Sequence, residues 1–301
     1  MADGNGRRVR AVPYLLVGTF VFAVLTAACS SSSPSSVPSV RYYVSLGDSN
    51  AVGYQPLPAP HASPGDTAYV ATAEHLKLQN FGCTGATSAS ILTTDGCTDH
   101  VATTDAVAYP ATPQATAAEA FVKAHKGSIG LITVSLGGND VTRYATVASP
   151  IACFYSSVGT AAANITTPAQ GLRSAAGPAV PIIGLTYPAV LLGLWVHPAA
   201  SPNTTLSSLS VIAFHDNFNP ALKTARSGAG ATFVDITAAT RAYTPLTETT
   251  TRSPFGVIPV AVAKVCTLTW CCSVVGIHAN TRGSTFMGRE IVAEYATLPR
   301  S

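Results

Sequence analysis

Five short apolar runs, separated by Ala-rich stretches, constrain the fold of this chain more than any other feature. The runs are partly β-branched and mostly continuous rather than alternating: Tyr42–Leu46, Leu76–Phe81, Ile129–Leu136, Ile182–Leu185 and Thr232–Ile236. Such runs are typical of strands that are buried on both faces of a parallel sheet. Ala115–His125 and Val211–Arg226, between the runs, have helical character, so the alternation predicts an α/β layer fold. Residues 142–176 and 186–210 follow neither pattern, and we expect long irregular segments there.

Composition excludes several classes of protein. Hydrophobic residues make up 47% of the 301 residues and charged residues only 10%, against about 25% charged in an average globular protein. The apolar fraction is ample for a core, which excludes disorder for the bulk of the chain. The formal charge of +3 falls to about +1 outside the N-terminal 28 residues. No basic patch for nucleic acid and no glycine-rich nucleotide loop is present, so no nucleic-acid partner is expected.

The first 28 residues resemble a bacterial export signal. A basic stretch, Arg7–Arg10, precedes an uncharged run that ends in Leu25-Thr26-Ala27-Ala28-Cys29. The small residues before Cys29 resemble a lipobox, so Cys29 is predicted to be lipidated and to become the first mature residue. Ordinary signal cleavage and an uncleaved anchor helix remain alternatives. Residues 1–28 are thus predicted to be a signal peptide, 29–39 a Ser/Pro-rich tether and 40–301 the folded domain.

The remaining six cysteines suit an exported protein, in the cell envelope or secreted. Metal binding is the competing interpretation, but no Cys-x-x-Cys spacing supports it, so disulfides are favoured and no metal is expected. Cys83 and Cys97 are neighbours in sequence and are expected to pair. Cys153 and Cys266 are then expected to pair with Cys271 and Cys272, in an order that stays open, because a bond between the adjacent Cys271 and Cys272 would be strained.

Four polar elements are candidates for chemistry, and the first three follow predicted strands. They are Gly47-Asp48-Ser49, Cys83-Thr84-Gly85-Ala86-Thr87, Gly137-Gly138-Asn139-Asp140 and the C-terminal Gly276-Ile277-His278. Ligands bind outside the carboxyl ends of strands in open α/β sheets. A serine there is a candidate nucleophile, a neutral histidine its base, and a glycine N–H and an asparagine amide can donate to an oxyanion.

In this order, the four elements resemble the SGNH hydrolases, also called GDSL esterases and lipases, over about residues 40–300. The cysteine-rich, exported form looks like the secreted esterases of actinobacteria. The resemblance implies a flavodoxin-like three-layer α/β/α sandwich with a five-stranded parallel sheet. It also implies hydrolysis of carboxylic esters through an acyl-enzyme on Ser49, with His278 as base. The oxyanion hole would be formed by the N–H groups of Ser49 and Gly85 and by the Asn139 side chain, and no cofactor would be needed.

One position departs from the family pattern. The family usually has Asp three residues before the catalytic histidine, and this chain has Val275. A carboxylate there normally holds the imidazole tautomer. The main-chain carbonyl of Val275 is therefore expected to orient His278 instead. A carboxylate from elsewhere, such as Asp235, is the alternative.

The substrate is less determined than the chemistry. An apolar stretch that contains Leu191, Leu192, Leu194 and Trp195 is a candidate acyl pocket, and packing in the core is an equal alternative. We expect a monomer that acts on a small-molecule or lipid ester, with membrane attachment through the N-terminal lipid. The alternative function is that of a catalytically impaired SGNH-like envelope lipoprotein that binds lipid or glycan. A purely structural envelope protein is disfavoured by the four motif residues.

Overall fold

The five predicted runs form the strands of one sheet in the computed structural model, which describes residues 11, 40–56, 61–62, 64–97, 105–142, 150–198, 201–274 and 276–299. In chain order the strands are β1 (Tyr42–Gly47), β2 (Tyr54–Gln55), β3 (His61–Ala62), β4 (Lys77–Asn80), β5 (Ile129–Ser135), β6 (Ile182–Leu185), β7 (Thr232–Val234), β8 (Thr249–Arg252) and β9 (Gly256–Pro259). The α-helices are α1 (Asp66–Ala73), α2 (Ser90–Thr93), α3 (Gln114–Ala124), α4 (Gly138–Thr142), α5 (Pro150–Ala176), α6 (Thr204–Ala213), α7 (Asn219–Ser227), α8 (Ile236–Ala239), α9 (Val260–Leu268) and α10 (Thr281–Thr297).

The central sheet is entirely parallel and has the order β4-β1-β5-β6-β7. Alternate side chains of β1 enter separate cores: Val44 and Leu46 join one apolar cluster, and Tyr43 joins another. Helices α3, α5 and α7 pack together on the first side, while α1 and α10 pack together on the second. The predicted α/β sandwich with five parallel strands is therefore confirmed.

The strand order reverses between β1 and β5, and this places the site. The chain runs from β1 outward to β4 and then returns to β5 on the other side of β1. At such a reversal the connections leave in opposite directions and open a crevice beyond the carboxyl ends of the strands. Ser49 follows β1 and Asn139 follows β5, so both lie at this crevice.

The expectation of irregular structure in residues 142–176 and 186–210 is wrong for most of both segments. Residues Pro150–Ala176 form the long helix α5, whose buried residues Phe154, Val158, Ala161 and Ile165 recur at helical spacing. The pattern is hidden because small residues fill the intervening positions. In the second segment, Val190–Trp195 form a 3₁₀ helix and α6 begins at Thr204.

The predicted helix Val211–Arg226 is divided into three parts. Helix α6 ends at Ala213, a π-helical turn covers Phe214–Phe218, and α7 continues from Asn219. Pro220, the second residue of α7, comes directly after the π-helical turn.

A third apolar cluster lies outside the sandwich and supports the histidine segment. It combines the 3₁₀ helix Val190–Trp195 with Ile258 of the antiparallel β8–β9 hairpin and the buried face of α9. Residues 39–301 form one compact unit. Within the described ranges, no helix is both long and apolar enough to cross a membrane. The predicted signal peptide and tether, with Cys29, lie outside the described residues except for residue 11.

Candidate active site

Ser49 and His278, 229 residues apart, meet at the carboxyl end of the sheet. The His278 Nε2 atom lies 3.1 Å from the Ser49 Oγ atom. Burial lowers the pKa of His278 to about 4, so the imidazole is neutral at neutral pH. A neutral ring with Nε2 unprotonated accepts a hydrogen bond from the serine hydroxyl and is able to take its proton.

His278 is held through the backbone on either side of it. The Trp270 N–H donates to the His278 carbonyl (3.0 Å), and Gln55 Nε2 donates to the next carbonyl, Ala279 (3.0 Å). Trp270 Nε1 in turn donates to Gln55 Oε1 (2.7 Å). The Tyr54 ring lies with its centroid 4.4 Å from that of the imidazole. No sequence motif marks Gln55 or Trp270, because both act only after the chain has folded.

The orientation of the imidazole through Nδ1 is not described by the structure. Val275, whose carbonyl is the expected acceptor, lies outside the described residues. Within the described chain, Nδ1 is buried and has no hydrogen-bond partner. Asp235, the alternative acceptor, caps α8 by accepting from Ala238 N–H and also accepts from the Thr186 hydroxyl.

The Gly47-Asp48-Ser49 turn, which carries the candidate nucleophile, is held by side chains that sequence reasoning missed. Asp48 is buried, and its two oxygens accept from the Asn50 N–H (2.9 Å) and the Tyr187 hydroxyl (2.7 Å). Burial raises the pKa of the Asp48 carboxyl to about 6. On the opposite side, Gln114 accepts from the Gly47 N–H (3.2 Å) and donates to the Gly47 carbonyl (3.1 Å). The glycine two residues before Ser49 is therefore fixed at both of its polar atoms.

Asn139 shares a cleft with Ser49 and also contacts the Gly85 turn. Its Nδ2 atom donates to the Ala86 carbonyl (2.9 Å), which uses one of the two N–H bonds of the amide. Gly85 has a φ of +77°, a backbone conformation that favours glycine. Gly85 lines a second cavity together with Cys83, Gly96 and Gln114.

The cleft around Ser49 has a polar and an apolar part. It is lined by Asp48, Ser49, Asn50, Gly138, Asn139, Thr142, Tyr187, Pro188, Val190, Phe214 and Ile277. None of the four residues expected to form an acyl pocket lines it: Leu192 is fully buried in the third cluster, Trp195 packs against that cluster, and Leu191 packs against the core. The 3₁₀ helix contributes Val190 instead, because its tight turn directs the following side chains elsewhere.

Among the six cysteines of the described ranges there are two disulfides, Cys83–Cys97 and Cys266–Cys272. The expected third bond, between Cys153 and the C-terminal cysteines, is not formed: Cys153 and Cys271 are free thiols. Cys271 lies 2.8 Å from the Thr269 hydroxyl and packs on Gly193, within the third cluster, whereas Cys153 belongs to α5. No group of three or more potential metal ligands occurs among the residues for which coordinates are described.

Comparisons with known proteins identify the family. Residues 43–291 match the model of the GDSL-like lipase/acylhydrolase family. No curated protein matches the chain.

Three solved structures similar to this chain are a lipase, a phospholipase and an esterase, and the first of them agrees with the fold. The extracellular lipase of Streptomyces rimosus is 17% identical, covers 85% of this chain and 100% of its own, and has a TM-score of 0.53. Phospholipase A1 of Streptomyces albidoflavus NA297 is 16% identical, and the match covers 67% of this chain and 82% of the phospholipase, with a TM-score of 0.45. AlinE4, an SGNH-hydrolase family esterase, is 19% identical, and the match covers 65% of this chain and 75% of AlinE4, with a TM-score of 0.33. Because the family model matches most of the length of this chain, the chain belongs to the GDSL-like lipase/acylhydrolase family and is a carboxylic ester hydrolase.

Proposed function

We propose that Ser49 is the nucleophile and His278 the general base of this hydrolase. The observation that carries the proposal is the 3.1 Å contact between Ser49 Oγ and a partly buried, neutral imidazole. A serine hydroxyl is too weak an acid to attack an ester unaided, so a base within hydrogen-bond reach is required. The two side chains lie at the strand reversal where open α/β sheets bind ligands.

The reaction proceeds in two steps, acylation of Ser49 and hydrolysis of the acyl-enzyme. As Ser49 Oγ forms a bond to the ester carbonyl carbon, His278 Nε2 takes its proton. The tetrahedral intermediate then expels the alkoxide, which receives that proton from the imidazolium and leaves as the alcohol. Water, deprotonated by the same nitrogen, attacks the acyl-enzyme and releases the carboxylic acid and the free serine.

We further propose an oxyanion hole of the Ser49 N–H, the Gly85 N–H and the Asn139 side chain. Asn139 lines the same cleft as Ser49 and keeps one amide N–H unused by its bond to Ala86. Donors that are already in place act on the charge that develops in the transition state at no cost of reorganisation. Substrates are small-molecule esters, whose acyl group would lie against Pro188, Val190 and Ile277.

For the orientation of His278, we propose that the Val275 carbonyl accepts the Nδ1 proton. The absence of a partner for Nδ1 among the described residues leaves this nitrogen available to a neighbouring segment. A carbonyl fixes the tautomer, but because it is neutral, it stabilises imidazolium less than a carboxylate does.

Loss of either catalytic side chain tests the function. Ser49→Ala and His278→Ala should each lower kcat/KM on a nitrophenyl ester by at least about 10³-fold, and the double variant should lose little more, because the two act as a unit. The matched control is His125→Ala, since His125 caps α3 at the opposite end of the sheet.

Covalent labelling separates an enzyme from a binding protein of the same fold. An organophosphonate should label wild-type protein at Ser49, as detected by mass spectrometry of the peptide. Wild-type protein that binds ester without labelling or turnover would support the impaired lipoprotein instead, and near-full activity of Ser49→Ala would disprove the assignment.

We also propose export, with a lipid on Cys29. Two disulfides are expected in an oxidising compartment, and the Streptomyces rimosus neighbour is itself an extracellular lipase. In the native host, wild-type protein should remain in the membrane fraction, while Cys29→Ser should be lost from it. Equal partitioning of both proteins would rule out the lipid anchor.

A further inference from the structure

Arg226 is a buried cation that the proposed reaction does not use. It lies on α7 and is 0% exposed. Its two terminal nitrogens bond backbone carbonyls rather than a carboxylate, so within the described part of the chain no ion pair compensates this charge. Its Nε has no hydrogen-bond partner there either. A buried charge without a counter-ion costs free energy, so its place in the fold calls for a specific contact.

That contact is at the end of β5, beside the candidate oxyanion donor. Arg226 Nη2 donates to the Leu136 carbonyl (3.0 Å), and Nη1 donates to the Leu222 carbonyl of its own helix (3.1 Å). Leu136 joins β5 to the Gly137-Gly138-Asn139 turn. To reach it, the side chain of Arg226 crosses β6 at Gly184, where any Cβ would collide with the Arg226 Cδ.

The turn that follows Leu136 is supported by two neighbours of the same arginine. Gly137 has a φ of +111°, and a Cβ there would lie 3.1 Å from Leu222 of α7. A Cβ on Gly138 would lie 2.9 Å from the Tyr187 ring, whose hydroxyl donates to Asp48. The backbone between Leu136 and Asn139 is thus enclosed by α7 on one side and by the nucleophile turn on the other.

We propose that Arg226 is a positioning residue for the reaction: by holding the Leu136 carbonyl, it sets the Gly137–Asn139 turn and so the distance of the Asn139 amide from the Ser49 oxyanion. The guanidinium spans α7, β6 and β5 and donates two hydrogen bonds from one plane, which an ammonium group does not reproduce. This inference rests on the proposed role of Asn139 in the oxyanion hole.

The direct test is Arg226→Met, which keeps an apolar side chain of similar length and removes the guanidinium. A displaced donor weakens the transition state, so we expect kcat to fall about 10- to 100-fold while KM stays within about twofold. The Leu136 and Leu222 carbonyls lose a donor in this variant, so the midpoint of thermal unfolding should also fall, and kcat is compared at a temperature well below that midpoint. Unchanged kcat would overturn the proposal.

A double-mutant cycle shows whether Arg226 acts through Asn139. If it does, Arg226→Met should have almost no effect on kcat when introduced into Asn139→Ala. If the losses of kcat in the two single variants multiply in the double variant, the positioning role of Arg226 is overturned, while the proposed oxyanion hole is not contradicted. The single variant Asn139→Ala should lose about 10²–10³-fold in kcat, and an undiminished kcat there would instead disprove the oxyanion role itself.

Two further variants test the proposal if Arg226→Met does not fold. Gly184→Ala leaves Arg226 in the chain but displaces its side chain, and Arg226→Lys keeps the charge without the planar pair of donors. Both should show the same selective loss of kcat, and wild-type kcat in either would overturn the proposal. The matched control is Arg173→Met, since Arg173 holds backbone carbonyls at the amino ends of β6 and β7. It should lower the midpoint of unfolding and leave kcat unchanged.

Discussion

At the scale of single residues, burial decides the chemistry of the site. The side chain of His278 is partly buried, and this burial lowers the pKa of His278 to about 4. Burial raises the pKa of Asp48, which directly follows Gly47, to about 6. The base is therefore neutral over a wide range of pH, and the acidic group beside the nucleophile titrates closer to neutrality.

The first prediction at this scale is the pH dependence of catalysis. Because only neutral imidazole acts as base, kcat/KM should rise with pH through an apparent pKa of about 4, well below the unperturbed value of about 6.5. A profile measured from pH 3 to pH 8 on a neutral ester checks this.

Two variants identify the group that titrates. Val275→Ala should leave the profile unchanged, since only the backbone at residue 275 is proposed to contact His278. A rising limb near pH 6 that disappears in Asp48→Asn would assign the limb to Asp48 and contradict the prediction.

The lowered pKa of His278 also makes the free energy of unfolding depend on pH. The unfolded chain protonates His278 near pH 6.5 and the folded chain only near pH 4, so between these values the unfolded state binds more protons. The contribution of His278 to the free energy of unfolding is therefore complete above about pH 6.5 and is lost as the pH falls toward 4. The raised pKa of Asp48 acts in the opposite sense, stabilising the fold at low pH and losing that effect as the pH rises through about 6.

At the scale of elements, helix α3 completes the end of β1. Its first residue, Gln114, is buried and bonds both polar backbone atoms of Gly47, as a neighbouring strand would. The same amide lies 3.3 Å from the Tyr109 hydroxyl, which donates to the Phe81 carbonyl at the end of the β4 segment. One helix start thus joins the nucleophile turn to the Gly85 turn.

Gln114→Met tests this connection. The variant keeps the volume but leaves the buried Gly47 N–H without an acceptor, which should lower the free energy of unfolding by about 1–3 kcal/mol in urea titrations. Gln79→Met is the matched control, because Gln79 lies on β4 and donates only to the neighbouring Leu78 carbonyl. Equal stability of the two variants would refute the role of Gln114.

Sequence patterns predicted elements better than contacts between them. The strands were recognisable because a parallel sheet buries both faces and so requires continuous apolar runs. Helix α5 was missed because the small residues among its buried positions lower the apolar contrast. Ser49, Asn139 and His278 stand in short motifs, whereas Tyr187, Gln114 and Arg226 carry no local signal, since each acts on a residue 67 to 139 positions away.

At the scale of the whole molecule, cohesion comes from apolar packing rather than from charge. Three apolar clusters account for the core, and only 10% of the residues of the chain are charged. The two clusters of the sandwich fix the serine and the asparagine on the sheet. The third cluster, closed by Cys266–Cys272, supports the segment that carries His278. The base is thus supplied by a part of the fold other than the one that supplies the nucleophile.

The hydrogen bond between Trp270 and His278 allows tryptophan fluorescence to report on the proposed base. The chain has two tryptophans, and the indole of Trp270 is bonded to Gln55 while its peptide N–H is bonded to the His278 carbonyl. The other, Trp195, belongs to the 3₁₀ helix. Once Trp195 is replaced by phenylalanine, all indole emission originates from a residue that is bonded to the backbone of His278, so its wavelength and intensity should report a displacement of that segment during acylation.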